Sequence, residues 1–346
     1  MQSGPAHTRT LVVHLEHAAP SCWRAQGVIL DLRKRGLVPM AGDLQTAGVI
    51  HHMRVDAEID VERRWLTSMR ADQPSVAFEA APGTGGECCR DPVSRIEALS
   101  GSALDADFAK RLGTRIGGPL GCSHVQTLAL CVGSTALLAL AADRARHGLP
   151  ARRAGERVFH RSLSIDGLAA TDGSLVLALQ LADVHCAPAP ADALPFERLA
   201  RHYELRVNAH VDLDTLTFRK VEAAERNAES GSGPSAWQSR DADVGWLAGQ
   251  GAMGGVARAV LTRLVEPADA PLRDALLNLS PTVIQCVPAI SERWRTRGGV
   301  TAGGSSPGMF ASGGMVDSCY MWRRGGFLAE RVEAELKAYH AATKRS

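Results

Sequence analysis

A constant offset of 152 positions relates the two halves of this 346-residue chain, and it limits the folds open to it. Thr8-Arg9-Thr10-Leu11 falls on His160-Arg161-Ser162-Leu163. Without a gap, Ile29-Leu30-Asp31-Leu32 falls on Leu181-Ala182-Asp183-Val184, and Arg54 to Asp60 on Arg206 to Asp212. Arg111-Leu112 and Pro119-Leu120 reach Arg263-Leu264 and Pro271-Leu272 at the same offset. A fixed period held over most of a domain points to like units in tandem.

Each half runs in the same order. The patterns at 7–16, 27–33, 51–60 and 63–70 read as strands, the last two as a hairpin, and helical patterns follow at 94–99, 105–112 and 123–147. The second half repeats this with strands at 158–166, 175–184, 202–212 and 215–225, then helices within 241–264 and 270–286. Strands first and helices after predict an α+β fold, not alternating βαβ units. The expected architecture is two pseudo-symmetric repeats, residues 1–148 and 156–346, each an antiparallel sheet followed by helices, packed together. The second carries in addition a Gly/Ser stretch at 298–314, a closing segment and a charged amphipathic helix at 327–340.

Composition narrows the function classes. Lys plus Arg number 39 against 37 Asp plus Glu, and aromatics are 5%, so nothing favours a nucleic-acid or membrane partner. The run 127–142 reads as too short for a bilayer, and no signal-peptide pattern opens the chain, so a cytoplasmic location is expected. The eight cysteines lack CxxC spacing, which argues against a disulfide scaffold or a zinc ribbon.

Strand parity then selects polar residues that face inward. Met53, Val55, Ala57 and Ile59 form one apolar face, and His51 shares their parity. Tyr203 stands in the same relation to Leu205, Val207, Ala209 and Val211, and it is the offset equivalent of His51. Two like halves could bring this His and Tyr to one cavity as base and acid. Satisfied residues at the core edge would show the same pattern.

The first half resembles the domain of unknown function 2889 family over about residues 7–140. The resemblance is carried by His7-Thr8-Arg9, Trp23, Gly27, Leu30-Asp31, His51, Met53, Asp60, Leu99, Gly101, Gly121-Cys122-Ser123-His124 and Ser134-Thr135-Ala136. His52 stands where that family usually carries Asp. The second half looks like a diverged copy. The resemblance implies a bacterial protein, often associated with catabolism of aromatic or other ring compounds, and no established reaction.

Gly121 leads into the long helix. Ser123 could cap it, and Cys122 and His124 would sit in its first turn, where the positive dipole end lowers thiol and imidazole pKa values. Their offset equivalents are Asp274 and Leu276, which favours one site over two. Three uses stay open: metal binding with His51, acid–base or anion-binding chemistry at His124, and structural packing. A Cys–His nucleophile pair is disfavoured, because the two are too close in sequence to face each other on one helix.

Residues 317–326 have no counterpart in the first half. Alternation would put Cys319, Met321 and Arg323 on one face. The segment could close a pocket, with Tyr320 or Trp322 against a ring and Arg323 near an anionic group, or it could end the sheet as an edge strand. Gly249 to Gly254 has GxGxxG spacing outside any βαβ unit, and no other cofactor motif is present. The expected function is a cofactor-independent lyase or isomerase of aromatic catabolism. His51, Tyr203 and His124 would be catalytic, and Cys122, Tyr320, Trp322 and Arg323 would bind a small aromatic substrate. The alternatives are a metal-dependent hydrolase or lyase using His51, Cys122 and His124, and a non-catalytic protein that binds aromatic ligands. A homodimer is the expected assembly.

Overall fold

The computed structural model describes residues 4–36, 38–40, 43–144, 151–190, 192–229, 231–290 and 315–343. The Gly/Ser stretch 298–314 lies outside the described residues, as does part of the joint between the halves.

Eight long strands follow the alternating patterns. They are β1 (His7–Ala19), β2 (Cys22–Arg33), β5 (Gly48–Asp60), β6 (Trp65–Ser75), β8 (Arg157–Ala169), β9 (Ser174–Cys186), β10 (Leu199–Asp212) and β11 (Thr217–Glu229). Short strands at Val38–Met40 (β3), Asp43–Gln45 (β4), Ser102–Ala103 (β7) and Gln238–Ser239 (β12) complete the set. The fold is α+β. The expectation of one sheet per half needs a correction: both meanders belong to one ten-stranded sheet, ordered β12-β11-β10-β9-β8-β1-β2-β5-β6-β7. β1 pairs with β8, so each half satisfies the backbone edge of the other.

Registers in the two meanders coincide at the offset of 152. Arg9 pairs across with Asp31, and Arg161 with Asp183; Asp31 then pairs with His51, and Asp183 with Tyr203. At the junction Leu11 lies opposite Leu163, its own offset equivalent. The hairpins explain how the register is pinned. Asp60 Oδ1 accepts the N–H groups of Glu62 and Arg63 at 3.0 and 2.9 Å, and Asp212 Oδ1 accepts those of Asp214 and Thr215 at 2.9 Å. This side-chain mimic of a backbone turn lets Arg64 and Leu216 take positive φ, 54° and 51°.

Helices cover one face. α1 (Phe108–Ile116) packs on α2 (Ser123–Arg144), which crosses β1, β2, β5 and β8. α5 (Ala270–Leu277) lies over β9 and β10, and α6 (Leu279–Ile290) over β1, β2 and β8. The run at 241–264 forms only α3 (Asp241–Val244) and α4 (Val256–Arg263), because the intervening glycines include Gly249 and Gly255 at φ 81° and 83°. α2 also corrects the reading of 127–142 as too short. Its segment Ser123–Asp143, 21 residues, is long and apolar enough to cross a membrane, but 61% of its most apolar window is buried against the sheet and helices. The apolarity is that of a core helix.

α2 approaches the sheet closely over Gly27. A Cβ there would come within 2.8 Å of Leu128 Cδ1 and Val132 Cγ2. We therefore expect Gly27→Val to destabilise the fold by about 2 kcal/mol through overpacking, read as a lower urea midpoint.

Candidate functional site

The site grows from one rung of the sheet. Arg9, Asp31 and His51 are direct neighbours on β1, β2 and β5, and all three side chains point to the helix-covered face. Asp31 is completely buried. Arg9 grips it with two parallel bonds, Nε to Oδ1 and Nη2 to Oδ2, both 2.8 Å. His7 Nε2 lies 3.1 Å from Oδ1, and His51 Nδ1 lies 3.2 Å from Oδ2. From the start of α2, His124 brings Nε2 to 3.3 Å from Oδ2 without hydrogen-bond alignment, and its ring stacks on His51 with centroids 4.0 Å apart.

Electrostatics follow from this packing. Burial would raise the Asp31 carboxyl, but the Arg9 guanidinium and the imidazoles of His124 and His51 outweigh it and hold the pKa well below the usual range. Burial, then the nearby His51, pushes His124 down to about 3, and burial likewise lowers His7. The ligand atoms of Asp31, His51 and His124 all lie within 4.8 Å of one another, so this trio could hold a metal ion. It differs from the set read in the sequence, because Asp31 takes the place given there to Cys122.

His51 and His124 stand in the wall of a cavity of about 270 Å³. Apolar side chains dominate it, among them Met53, Phe78, Leu130, Met253 and Ile284. The segment at 318–322 closes one side. It is a 3₁₀ turn (Tyr320–Trp322), not a strand, so the alternation read there does not apply. Tyr320 N–H donates to Gly121 O at 2.8 Å and ties the segment to the entrance of α2. Met321 and Trp322 anchor it in a small separate core with Phe78, Leu328 and Val332.

Several expected roles move. Tyr203 does not join His51: β10 and β5 are five strand steps apart, about 24 Å at the usual spacing. Its hydroxyl donates to Glu225 at 2.7 Å, and burial with that carboxylate raises its pKa. The inward parity was the same in both halves, but the halves sit side by side, so equivalent residues stay apart. Arg323 is turned away from the cavity, paired with Glu87 and stacked 3.9 Å from the Tyr320 centroid. Trp322 lies edge-on to Phe78 at 5.9 Å and is nearly fully buried. Cys122, not Ser123, occupies the cap of α2: its carbonyl accepts Gln126 N–H at 2.9 Å. Burial overrides the helix dipole and pushes its thiol up to about 11. Because Cys122 lies just outside the helix, its sulfur does reach His124 Nδ1, at 3.9 Å.

Arg9, Asp31, His7 and the cavity-lining Arg33 were not assigned roles from the sequence. A signal for two of them was present, since Arg9 and Asp31 recur as Arg161 and Asp183 at the offset. In the second half the same grip appears, Nε–Oδ1 and Nη2–Oδ2 both 2.7 Å. There the remaining Arg161 nitrogen pairs with Asp274, which also accepts from Ser134. Asp274 is the offset equivalent of Cys122. Arg9 Nη1, by contrast, has no partner among the described residues. One rung joins two carboxylates through Arg161; the other carries imidazoles beside a cavity.

The depressed His124 gives a sign to acid stability. Below the ordinary imidazole pKa of about 6.5 the unfolded chain takes up a proton that folded His124 refuses. Stability is therefore fully present above that value and falls as pH drops toward 3. Between pH 6.5 and 5 this group alone accounts for about 2 kcal/mol. Urea unfolding at the two pH values should show the loss, with a shallower dependence in His124→Gln.

No curated protein and no solved structure matches the chain. Residues 7–138, which supply Arg9, Asp31, His51, Cys122 and His124, match the family described as a protein of unknown function (DUF2889), as the motifs in the first half implied.

Proposed function

We propose that the chain is an acid–base enzyme, a lyase or isomerase acting on a small ring-bearing molecule held in the cavity beside His51. One observation carries this reading: an imidazole anchored through Nδ1 to a buried, ionised carboxylate, in the wall of a largely apolar cavity. Such an anchor fixes the tautomer and leaves Nε2 free to take a proton, and the carboxylate stabilises the imidazolium that forms. Arg9 keeps Asp31 ionised for that purpose. His51 would take a proton from substrate carbon or oxygen. It would then return the proton elsewhere on the same skeleton, which is isomerisation, or deliver it to a departing group, which is elimination or retro-aldol cleavage. His124, kept neutral by burial, would serve as a hydrogen-bond partner and not as a cation. Phe78 lines the cavity and offers an aromatic surface against which a ring can rest. The resemblance to a family often associated with ring-compound catabolism agrees with such a substrate.

A second reading is favoured by the spacing of Asp31, His51 and His124. These three would hold a divalent ion of the imidazole-accepting kind, which would supply Lewis-acid polarisation of a substrate oxygen. The three side chains would then position the ion, and the cavity would orient the substrate.

The readings separate in one set of assays. A mass-spectrometric screen of ring-bearing metabolites identifies turnover. His51→Ala should then lower kcat by a factor of about 10² to 10⁴ while the protein stays folded. Tyr203→Phe should leave turnover unchanged. Full activity in His51→Ala would sink the acid–base proposal. Stoichiometric metal by elemental analysis, with activity lost to a chelator and restored by the ion, would replace the first reading with the second.

A further inference from the structure

Arg33 is the last residue of β2, two positions beyond Asp31 and therefore on the same face of the strand. It lines the same cavity as His51 and is 2% exposed. Among the described residues, its Nε and Nη1 are buried without a hydrogen-bond partner and no carboxylate pairs with it. Every other fully buried arginine fork in the sheet is answered, Arg9 by Asp31 and Arg161 by Asp183 and Asp274. Burial lowers the Arg33 pKa, with no neighbouring anion to oppose the shift. Gln45 and Ser280 line the same cavity, and Gln45 Oε1 and Ser280 Oγ also lack partners among the described residues.

An uncompensated buried cation costs several kcal/mol. Asp31 cannot relieve it, because Arg9 already neutralises that carboxylate. The described residues of the cavity wall thus carry one net positive charge, on Arg33, beside apolar surface. We infer that Arg33 is the receptor for the carboxylate of the substrate, so that the molecule taken up is a small monocarboxylate with an apolar ring body. This rests on the reading of the cavity as the substrate site. It transfers to Arg33 the anion-binding role that the sequence suggested for Arg323. A planar, singly charged, two-oxygen group matches the fork and the single charge; a phosphate dianion would leave charge unanswered.

Calorimetric titration with benzoate, phenylacetate and cinnamate, each against its primary amide, tests this. The full-length protein should bind at least one of the acids and discriminate against the matching amide. Arg33→Met should weaken the acid by about 30-fold or more, and Arg33→Lys should retain part of the affinity. Arg33→Met should also melt at a higher temperature than the parent, because it removes an unpaired buried charge; a purely structural arginine would give a lower one. His51→Ala should lose turnover but keep carboxylate binding, so the two proposals can fail separately. Equal binding of acids and amides, no binding of any acid at millimolar concentration, or undiminished affinity in Arg33→Met would each overturn the assignment of Arg33.

Discussion

The buried pair between Arg9 and Asp31 is the interaction on which the site depends. Two parallel bonds fix the carboxylate in one plane, and the strand register places both residues opposite each other with no loop between them. Such a pair is a poor source of net stability, because two charges must be desolvated. Removing either partner would nonetheless leave a bare charge in the core, at about 3–5 kcal/mol. The pair therefore acts as a fixed anchor: His7, His51 and His124 all take their positions from the same carboxylate. Sheet backbone is a stiff mount, and a rung of direct neighbours repeats at a fixed strand spacing.

The second half shows what the same rung becomes when its remaining valence is filled. Asp274 Oδ2 accepts from Arg161 and Ser134, and Tyr203 turns to Glu225. In the first half the offset equivalent of Asp274 is Cys122, whose thiol, pushed up by burial to about 11, brings no charge. The C-terminal segment adds a wall where Tyr320 meets Gly121. The two meanders of the one sheet thus match in register and differ in the groups around each rung.

Much of the fold was legible in the sequence. All eight long strands were placed to within a few residues, because a half-buried strand writes period two into its side chains. The inward parity of His51 and Tyr203 was correct for the same reason. Their meeting was not, since parity fixes a face and says nothing about which strands are neighbours. Arg323 read as an anion binder because charge type was visible and direction was not; Glu87, 236 positions away, claims it. Asp31 was quoted in two patterns without a role, although its recurrence with Arg9 at the offset was the strongest hint of a paired charge.

The sequence by itself determined the order of the long strands, the inward face of His51 and Tyr203 and the position of Cys122 and His124 at a helix entrance. These are local properties, set by periodicity and turn chemistry over a few residues. Only the tertiary structure decided that the two meanders share one sheet, that Asp31 collects three imidazoles, and that Arg33 lines a cavity with no carboxylate paired to it among the described residues. Those facts depend on strand pairing and helix docking between residues far apart in the chain, where a single fused edge moves equivalent positions some 24 Å from each other.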